Sequence, residues 1–256
     1  MRFRPCIDIH DGMVKQIVGG SLSECDDFVK ENFISGQTSE FYAELYRKNN
    51  LSGGHVILLN PISSPYYEAD FMQALAALRA FPGGLQAGGG INPDNADAFL
   101  DAGASHVIVT SYVFNNGRLD DTALERMVKS VGRKRLVLDL SCRVRDGAYF
   151  IVTDRWQKFT ELELNAGTLE FLSDNCDEFL VHAADVEGLA RGIDPKLVAI
   201  LSNSPIPVTY AGGVHSFEDL EILESLGKGR VDYTIGSALD LFGGKMKFSE
   251  VLERNK

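Results

Sequence analysis

Short runs of apolar residues alternate along the chain with longer stretches in which apolar residues recur at helical spacing. The short runs are rich in β-branched residues and lack regular alternation with polar residues, which is typical of parallel strands buried on both faces. We therefore predict strands at residues 3–9, 55–59, 85–87, 106–110, 136–140, 179–183, 207–210 and 233–235. Helices are predicted at residues 39–48, 68–80, 93–102, 119–130, 162–173, 195–202 and 217–226, with longer irregular segments at 19–37, 61–65 and 143–160.

Eight strands that alternate with helices favour a closed (β/α)8 barrel, or TIM barrel, over an open sheet. The chain has 256 residues, which is the usual length of one such barrel. Pro93 and Pro195 are placed early in their predicted helices, where the missing N–H costs little. The pattern therefore predicts an α/β protein built as one barrel.

The two halves of the sequence resemble each other. A strand with a glycine-rich turn, followed by a strand that leads to Ser, occurs at residues 85–111 and returns at 209–237, about 125 residues later. The apolar segment around Asp8 returns around Asp139, at an offset of 131 residues. Features that recur in the same order at similar offsets indicate a two-fold repeat. We therefore predict a single domain, residues 1–256, made of the half-barrels 1–131 and 132–256.

Composition and charge disfavour several classes of protein. The net charge of −11 disfavours nucleic acid and anionic membranes as partners, and no apolar run reaches the roughly 20 residues of a membrane helix. The four cysteines form no C-x-x-C pair, and no His, Asp and Glu have metal-ligand spacing, so we expect neither disulfides nor a metal. Asp8 lies where a secretory signal would be apolar, so we expect a cytoplasmic protein.

Glycine-rich turns follow two predicted strands, one in each half, and precede helices. Glycine lets backbone amides approach an anion, and a helix N-terminus adds partial positive charge. Tight turns without a ligand are the alternative, but two symmetric copies favour two phosphate sites on opposite rims. The residues assigned to these sites are Gly89, Gly90, Thr110 and Ser111 in the first half, and Gly212, Gly213, Gly236 and Ser237 in the second.

Asp8 and Asp139 fall at the carboxyl ends of predicted strands 1 and 5, which face each other across a barrel of eight. An ionisable residue in an apolar strand is costly to bury unless it has a role. An acid bonded to loop amides is the structural alternative for either residue alone. A symmetric pair between two phosphate sites favours general acid–base catalysis. Asp11 and Asp146 each precede a glycine and are predicted as turn residues.

Trp156, the single tryptophan, lies in the polar segment after strand 5. A large ring in such a segment favours stacking on an aromatic ligand, with loop packing as the alternative. Histidines in or beside strands are commonly packed in the core or at the rim, and His182, near the predicted mouth, is the one we assign to ligand binding. The sequence contains neither the serine elbow G-x-S-x-G nor the dinucleotide pattern G-x-G-x-x-G.

Taken together, these segments resemble the phosphoribosylformimino-aminoimidazole carboxamide ribotide isomerases of histidine biosynthesis. The matching segments span almost the whole chain and are residues 6–12, 88–91, 137–139, 156, 211–214 and 235–239. Residues 15–20, 182–188 and 240–244 resemble the eukaryotic, fungal branch of that family.

The resemblance implies an Amadori rearrangement, which converts a bisphosphorylated aminoaldose into its ketose without cofactor or metal. It implies that Asp8 is the base for the C2 proton and that Asp139 is the general acid that opens the sugar ring. The glycine-rich rims are implied to bind the two phosphates, and Trp156 to stack on the imidazole. Gly20 and Asp185 are further assigned to substrate binding, and we expect a monomer.

The chain departs from the bacterial pattern of this family at three places. Strand 6 lacks the bacterial threonine, whose assisting role would pass to Asp185 or His182. Gln16 replaces an arginine, which leaves one phosphate contact open. Asn60 replaces a common acid, so any contact it makes with ligand is that of a neutral group.

Three rival functions remain. The imidazole glycerol phosphate synthase cyclase subunit shares the two aspartates and both phosphate sites, but residues 16–20 agree better with the isomerase. An isomerase of tryptophan biosynthesis pairs a cysteine with an aspartate, so Cys6 alone supports it. A non-catalytic phosphosugar-binding protein would bind the same ligand without turnover.

Overall fold

The computed structural model describes residues 1–17, 31–154, 156–187, 189 and 191–255, and its centre is a curved sheet of parallel strands. The barrel strands β1 to β8 are Cys6–His10, Gly54–Leu58, Leu85–Gly88, Val107–Val109, Leu136–Asp139, Glu178–His182, Val208–Ala211 and Val231–Tyr233. Each pairs in parallel with the next in chain order. All eight overlap a predicted strand, although β8 ends at the residue where the predicted strand begins.

The sheet closes where the segment before β1 pairs with β8. Phe3 and Tyr233 form a parallel bridge. The Arg4 amide donates to the Tyr233 carbonyl at 2.8 Å, and the Tyr233 amide donates to the Arg2 carbonyl at 3.0 Å. This closure makes the sheet a (β/α)8 barrel, which confirms the predicted fold.

Helices follow the barrel strands and bury their apolar faces against them. Within the described residues, helices α1 to α8 are Ser39–Lys48, Tyr67–Ala80, Ala96–Asp101, Asp121–Val131, Ala166–Ser173, Pro195–Leu201, Phe217–Leu226 and Phe248–Arg254. As predicted, Pro195 lies in the first turn of α6, where Asp194 caps two backbone amides. Ser216 and Asp219 form a capping box at the start of α7. None of these helices is both long enough and apolar enough to cross a membrane.

A small apolar cluster fills the barrel interior below its carboxyl end. It consists of Ile108, Val137, Leu180 and Ala211, with Ile57 packed against them. Side chains two residues apart in a strand lie on the same face. On this inner face, Val137 is followed by Asp139 and Leu180 by His182, which are the last residues of β5 and β6. Both side chains therefore face the barrel mouth.

An ion network ties the opposite, amino end of the barrel together. The Arg4 Nε lies 2.8 Å from the Asp232 carboxylate, and its guanidinium lies 3.3 Å from Glu178. All three side chains are buried. Arg2, whose side chain is exposed, also contacts Asp232, with a distance of 3.0 Å between its guanidinium and the carboxylate. This end of a (β/α)8 barrel serves stability, since active sites lie at the carboxyl ends of the strands.

Both halves of the barrel continue from an aspartate-bearing strand into an antiparallel sheet. Asp11 and Gly12 both have positive φ and connect β1 to the strand Met13–Ile17. Asp146 and Gly147 do the same between Cys142–Arg145 and Ala148–Thr153. Two consecutive residues with positive φ are characteristic of a tight hairpin turn. The two aspartates are therefore turn residues, as predicted.

Two segments predicted as irregular contain strands. Glu31–Ile34 pairs with the strand Met13–Ile17, so residues 19–37 are not all irregular. The segment 143–160 belongs to a three-stranded sheet made of Cys142–Arg145, Ala148–Thr153 and Lys158–Glu163. The polar side chains that suggested a loop here lie on the exposed face of a sheet with one buried face.

Three helices begin later than predicted, and of these α4 begins at Asp121, two residues after its predicted start. Pro93 lies in a turn before α3, which begins at Ala96. The prediction started α5 at residue 162, but Leu162 continues the strand Lys158–Glu163. The side chain of Asn165 accepts a hydrogen bond from the backbone of α5, and this N-cap sets the helix start.

Candidate active site

A cavity of about 890 Å³ opens at the carboxyl ends of the barrel strands. Its lining brings together most of the residues that the sequence predicted for the site. These are Asp8, Asp139, Gly89, Gly90, Thr110, Ser111, Trp156 and His182. The size suits a small-molecule ligand with more than one group, since ligand pockets commonly measure about 300–1,000 Å³.

Asp8 lies at the wall of the cavity on β1. The Nε2 of Gln16 donates a hydrogen bond to its Oδ2 at 2.9 Å. Burial raises the pKa of Asp8 to about 6, although the positive charge of His182 and the donor from Gln16 oppose this shift. The group is therefore a carboxylate that can accept a proton near neutral pH.

Asp139 ends β5 at the opposite side of the cavity. Its Oδ1 accepts hydrogen bonds from the backbone amide of Ser141 at 2.8 Å and from the Ser141 hydroxyl at 2.6 Å. The Nδ1 of His182 lies 3.7 Å from the same oxygen. Burial opposes ionisation of Asp139, but the nearby His182 and these two donors outweigh it and lower the pKa. Asp139 is thus held as a carboxylate.

His182 ends β6 beside Asp139, and its ring lies close to two other rings. The ring centroid of Trp156 is 5.6 Å away, and that of His55 is 6.2 Å away. Burial disfavours the charged form of His182, but the carboxylate of Asp139 outweighs it, and the pKa rises to about 9. The imidazole therefore carries a positive charge at neutral pH.

Trp156 reaches the cavity from the turn between the strands Ala148–Thr153 and Lys158–Glu163. Its φ is +65°, and that of Asp154 is +50°. Backbone conformations of this kind are uncommon for residues other than glycine, and they cluster at ligand sites. The turn places the indole over the end of β6, where it contacts the ring of His182.

Glu187 lines the cavity as well, although the sequence analysis assigned it no role. It follows β6, and its Oε2 is buried without a hydrogen-bond partner in the described residues. Burial raises its pKa, and the nearby Asp8 adds to the rise. A buried, unpaired acid beside two other titratable groups is typical of a functional site. The departure from the bacterial pattern at this segment was the signal that could have identified it.

The first predicted phosphate rim lies in the cavity wall. Gly89 has a φ of +103°, and a Cβ there would collide with the backbone carbonyl of Leu58. Gly90 has a φ of +69° and lies against Ile62. Only glycine combines this backbone conformation with such a close approach of chains. Thr110 and Ser111 follow β4 next to this turn, so the rim presents hydroxyls together with backbone amides.

The second predicted rim lies beside the cavity but is not part of its lining. A Cβ on Gly236 would lie 2.5 Å from the Oε1 of Gln16, and one on Gly212 would lie 3.2 Å from the Oε2 of Glu187. Gln16 and Glu187 thus separate these glycines from the cavity. Gly213, which lies against the carbonyl of Gly192, and Ser237 are likewise absent from the lining.

Among the described residues, the predicted residue Asp185 is also absent from the cavity lining. Asp185 instead accepts a hydrogen bond from Arg143 at 2.8 Å and another from the Val144 amide at 2.8 Å, which ties the loop after β6 to the three-stranded sheet. Gly20 lies outside the described residues. Asn60 does line the cavity, but its Oδ1 is occupied by the Asp11 amide at 2.8 Å. The described residues contain no group of three or more acidic, His or Cys side chains placed to hold a metal ion.

The position of this cavity defines the class of protein. Active sites of (β/α)8 enzymes lie at the carboxyl ends of the barrel strands. Here that end contains carboxylates and an imidazole with displaced pKa values, which is the arrangement of a site for proton transfer. The molecule is therefore a barrel enzyme whose candidate site is suited to proton transfer.

Comparison with known sequences places the chain within this class. Residues 2–247 match the sequence profile of the family described as "Histidine biosynthesis protein". The chain belongs to this family, and it is an isomerase, as the resemblance implied.

Relatives from plants and fungi match along almost the whole chain. A chloroplastic protein of Medicago truncatula is 54% identical over 98% of this chain and 81% of its own length. The Yarrowia lipolytica protein is 49% identical over 100% of this chain and 98% of its own, and the Saccharomyces cerevisiae protein is 44% identical over the same shares. Each is named an imidazole-4-carboxamide isomerase, and the name includes two phosphoribosyl groups.

Proposed function

We propose that this protein isomerises a bisphosphorylated aminoaldose of histidine biosynthesis to its ketose. In this proposal Asp8 is the base, and Asp139 belongs to the side of the cavity that supplies the acid. The observation that carries the proposal is that both carboxylates line one cavity at the barrel mouth. The two phosphoribosyl groups in the names of its relatives support a substrate with two phosphates.

The electrostatics of the two carboxylates agree with different roles. The pKa of Asp8 is raised to about 6, so this group is ionised at neutral pH and still binds a proton well. A base with a pKa near the working pH is the most effective in proton transfer. The pKa of Asp139 is lowered by its partners, so this side of the cavity stabilises positive charge. This difference supports the roles that the family resemblance implied, in which Asp8 removes the C2 proton and the ring opens on the Asp139 side.

The cavity wall offers groups for the rest of the ligand. The glycine turn with Thr110 and Ser111 supplies amides and hydroxyls for one phosphate. The second phosphate is proposed to bind at the rim of Gly212 and Gly236, on the far side of Gln16. Trp156 is proposed to stack on the imidazole ring of the substrate.

An isomerase assay on the aminoaldose, coupled to the cyclase of the next step, tests this function. Asp8→Asn and Asp139→Asn are expected to lose about 10²-fold or more in kcat, since positioned acids and bases typically contribute that much. Asp146→Asn, in an exposed hairpin turn, is the matched control and is expected to keep the parental rate.

A folded parent without turnover would contradict the isomerase. Consumption of the ketose product with ammonia would then identify the cyclase, and binding without turnover would identify a phosphosugar-binding protein. We further propose that the enzyme works as a single-domain monomer in the cytoplasm. Light scattering of the purified protein measures its oligomeric state, and the mass of a dimer would contradict the proposed monomer.

A further inference from the structure

The hydrogen bonds of Ser141 define the protonation of His182. A serine hydroxyl has a single proton to donate. The Ser141 Oγ lies 2.6 Å from the Asp139 carboxylate, which can only accept, so the hydroxyl proton is used there. The same Oγ lies 3.1 Å from the Nδ1 of His182. The Nδ1 must therefore carry a proton and donate it to Ser141.

This arrangement leaves the Nε2 of His182 for a ligand. The described residues provide no hydrogen-bond partner for that nitrogen, and His182 lines the cavity. Its side chain is 15% exposed, so it is accessible from the cavity while most of the ring is packed. In the imidazolium form, Nε2 presents an N–H to a substrate while Nδ1 keeps its bond to Ser141.

Asp139 has no proton to give in this arrangement. Its Oδ1 accepts from both the amide and the hydroxyl of Ser141, and His182 lies 3.7 Å away. Two donors to one carboxylate oxygen and the positive charge of the nearby imidazole stabilise the ionised form. The carboxyls of Asp139, Glu187 and Asp8 surround His182 and favour its protonation. The neighbouring His55 is uncharged at neutral pH, because burial and the charge of His182 lower its pKa to about 3. The proton on this side of the cavity therefore resides on the imidazole.

We propose that His182 is the catalytic residue that protonates the sugar-ring oxygen, and that Asp139 is a positioning residue that acts through it. This inference rests on the proposed isomerase function. The Nε2 proton passes to the ring oxygen as the C1–O bond breaks and its electron pair moves to that oxygen. The nitrogen lone pair on C1 then forms the C=N bond of an iminium.

The second half of the reaction restores both groups. Asp8 removes the C2 proton, and the C–H electron pair forms the C1=C2 bond of an enaminol while the iminium nitrogen regains its lone pair. Return of a proton to C1 from Asp8 and loss of the C2 hydroxyl proton to His182 give the ketose. The imidazolium and the carboxylate are regenerated, so no further reactant is needed.

Chemical rescue tests the role of His182. His182→Ala removes the proton donor and leaves a space for free imidazole, while His182→Gln keeps volume and polarity without an ionisable group. We expect kcat to fall by about 10²-fold or more in both variants, with a much smaller change in KM. Added imidazole is expected to restore kcat about tenfold in the alanine variant but not in the glutamine variant.

A histidine–aspartate pair outside the site provides the control. The Nε2 of His106 lies 3.3 Å from Asp177, so His106→Gln removes a comparable pair and is expected to leave kcat unchanged. Parental kcat in His182→Gln would overturn the inference. So would a folded alanine variant whose kcat is low at every imidazole concentration, because that result assigns His182 a structural role. A parent without isomerase turnover would instead contradict the proposed function itself.

Discussion

Gln16 and Asp8 are joined by a hydrogen bond of 2.9 Å from the side-chain amide to the carboxylate Oδ2. The donor comes from the strand Met13–Ile17, which the Asp11–Gly12 turn folds back along β1. The hairpin at the end of β1 thus returns a neutral donor to the carboxylate that the same strand carries. The bond stabilises the charged form of Asp8 against the effect of burial.

Removal of this donor is expected to shift the pH dependence of the enzyme. Gln16→Leu leaves Asp8 buried without its donor, so the pKa of Asp8 rises further and the acid limb of kcat/KM moves to higher pH. Gln73→Leu, which loses hydrogen bonds to Ser39 outside the cavity, serves as the control. A pH–rate profile of Gln16→Leu that superimposes on that of the parent would contradict this role.

The activity of the parent is expected to depend on pH through two groups. Asp8 acts as a base only when it is deprotonated, so kcat/KM should rise as the pH increases through about 6. His182 donates only when it is protonated, so kcat/KM should fall as the pH increases through about 9. Asp139→Asn removes the carboxylate that raises the pKa of His182, so residual activity in that variant should decline at lower pH.

Fluorescence offers an independent measure of the alkaline group. Trp156 is the single tryptophan of the chain and lies 5.6 Å from the ring of His182. A protonated imidazole quenches a nearby indole, so emission from the free enzyme should increase through about pH 9. The same titration of His182→Gln should be flat in this range. A rise that persists in the glutamine variant would show that another group titrates.

The first phosphate rim is expected to be intolerant of a side chain. Gly89→Ala places a Cβ against the Leu58 carbonyl at a φ of +103°, and strain of this kind costs about 1–3 kcal/mol. The turn is expected to shift to relieve this strain, which displaces the amides that would meet the phosphate. A loss of about 1.4 kcal/mol of binding free energy corresponds to a tenfold change in an equilibrium constant, so KM should rise about tenfold. Gly36→Ala is the control because a Cβ there meets no atom within 4 Å. Equal KM values for Gly89→Ala and Gly36→Ala would contradict a role of this turn in substrate binding.

The ion network at the amino end is expected to contribute to stability and not to catalysis. Asp232→Asn leaves the buried Arg4 without its shorter ion pair, which should lower the free energy of unfolding by about 3 kcal/mol. Denaturant unfolding measures the change. Arg118→Gln breaks an exposed pair with Glu161 and should leave the unfolding midpoint unchanged. If Asp232→Asn lost kcat but kept its stability, that result would contradict the assignment of this network to stability and not to catalysis.

Much of the fold and the catalytic centre could be predicted from local signals. Asp8 and Asp139 stand out because each is an ionisable residue in an otherwise apolar strand, and the barrel geometry brings both side chains to one cavity. The Asp-Gly pairs indicated turns because they tolerate positive φ.

The remaining features depend on contacts that no local pattern encodes. Ser141 matters because its hydroxyl lies between Asp139 and His182, and Glu187 because burial leaves it unpaired. The sheet around Trp156 has mixed polarity because it covers the barrel mouth with one face only, so its residues resembled a loop. Asp185 was assigned to the ligand by its position after β6, but its ion pair with Arg143 turns it away from the cavity.

The seam that closes the barrel has a consequence for synthesis on the ribosome. Arg2 and its partner Asp232 are 230 residues apart, so the first strand waits about 10 to 50 s for the last at about 5–20 residues per second. An unpaired strand edge can recruit another chain during that wait. This edge contains Arg2, Arg4 and Pro5. Charged side chains and proline both disfavour pairing with a strand of another chain. Arg2 and Arg4 thus disfavour intermolecular pairing while the chain is being synthesised, and they form ion pairs with Asp232 once that residue has been added.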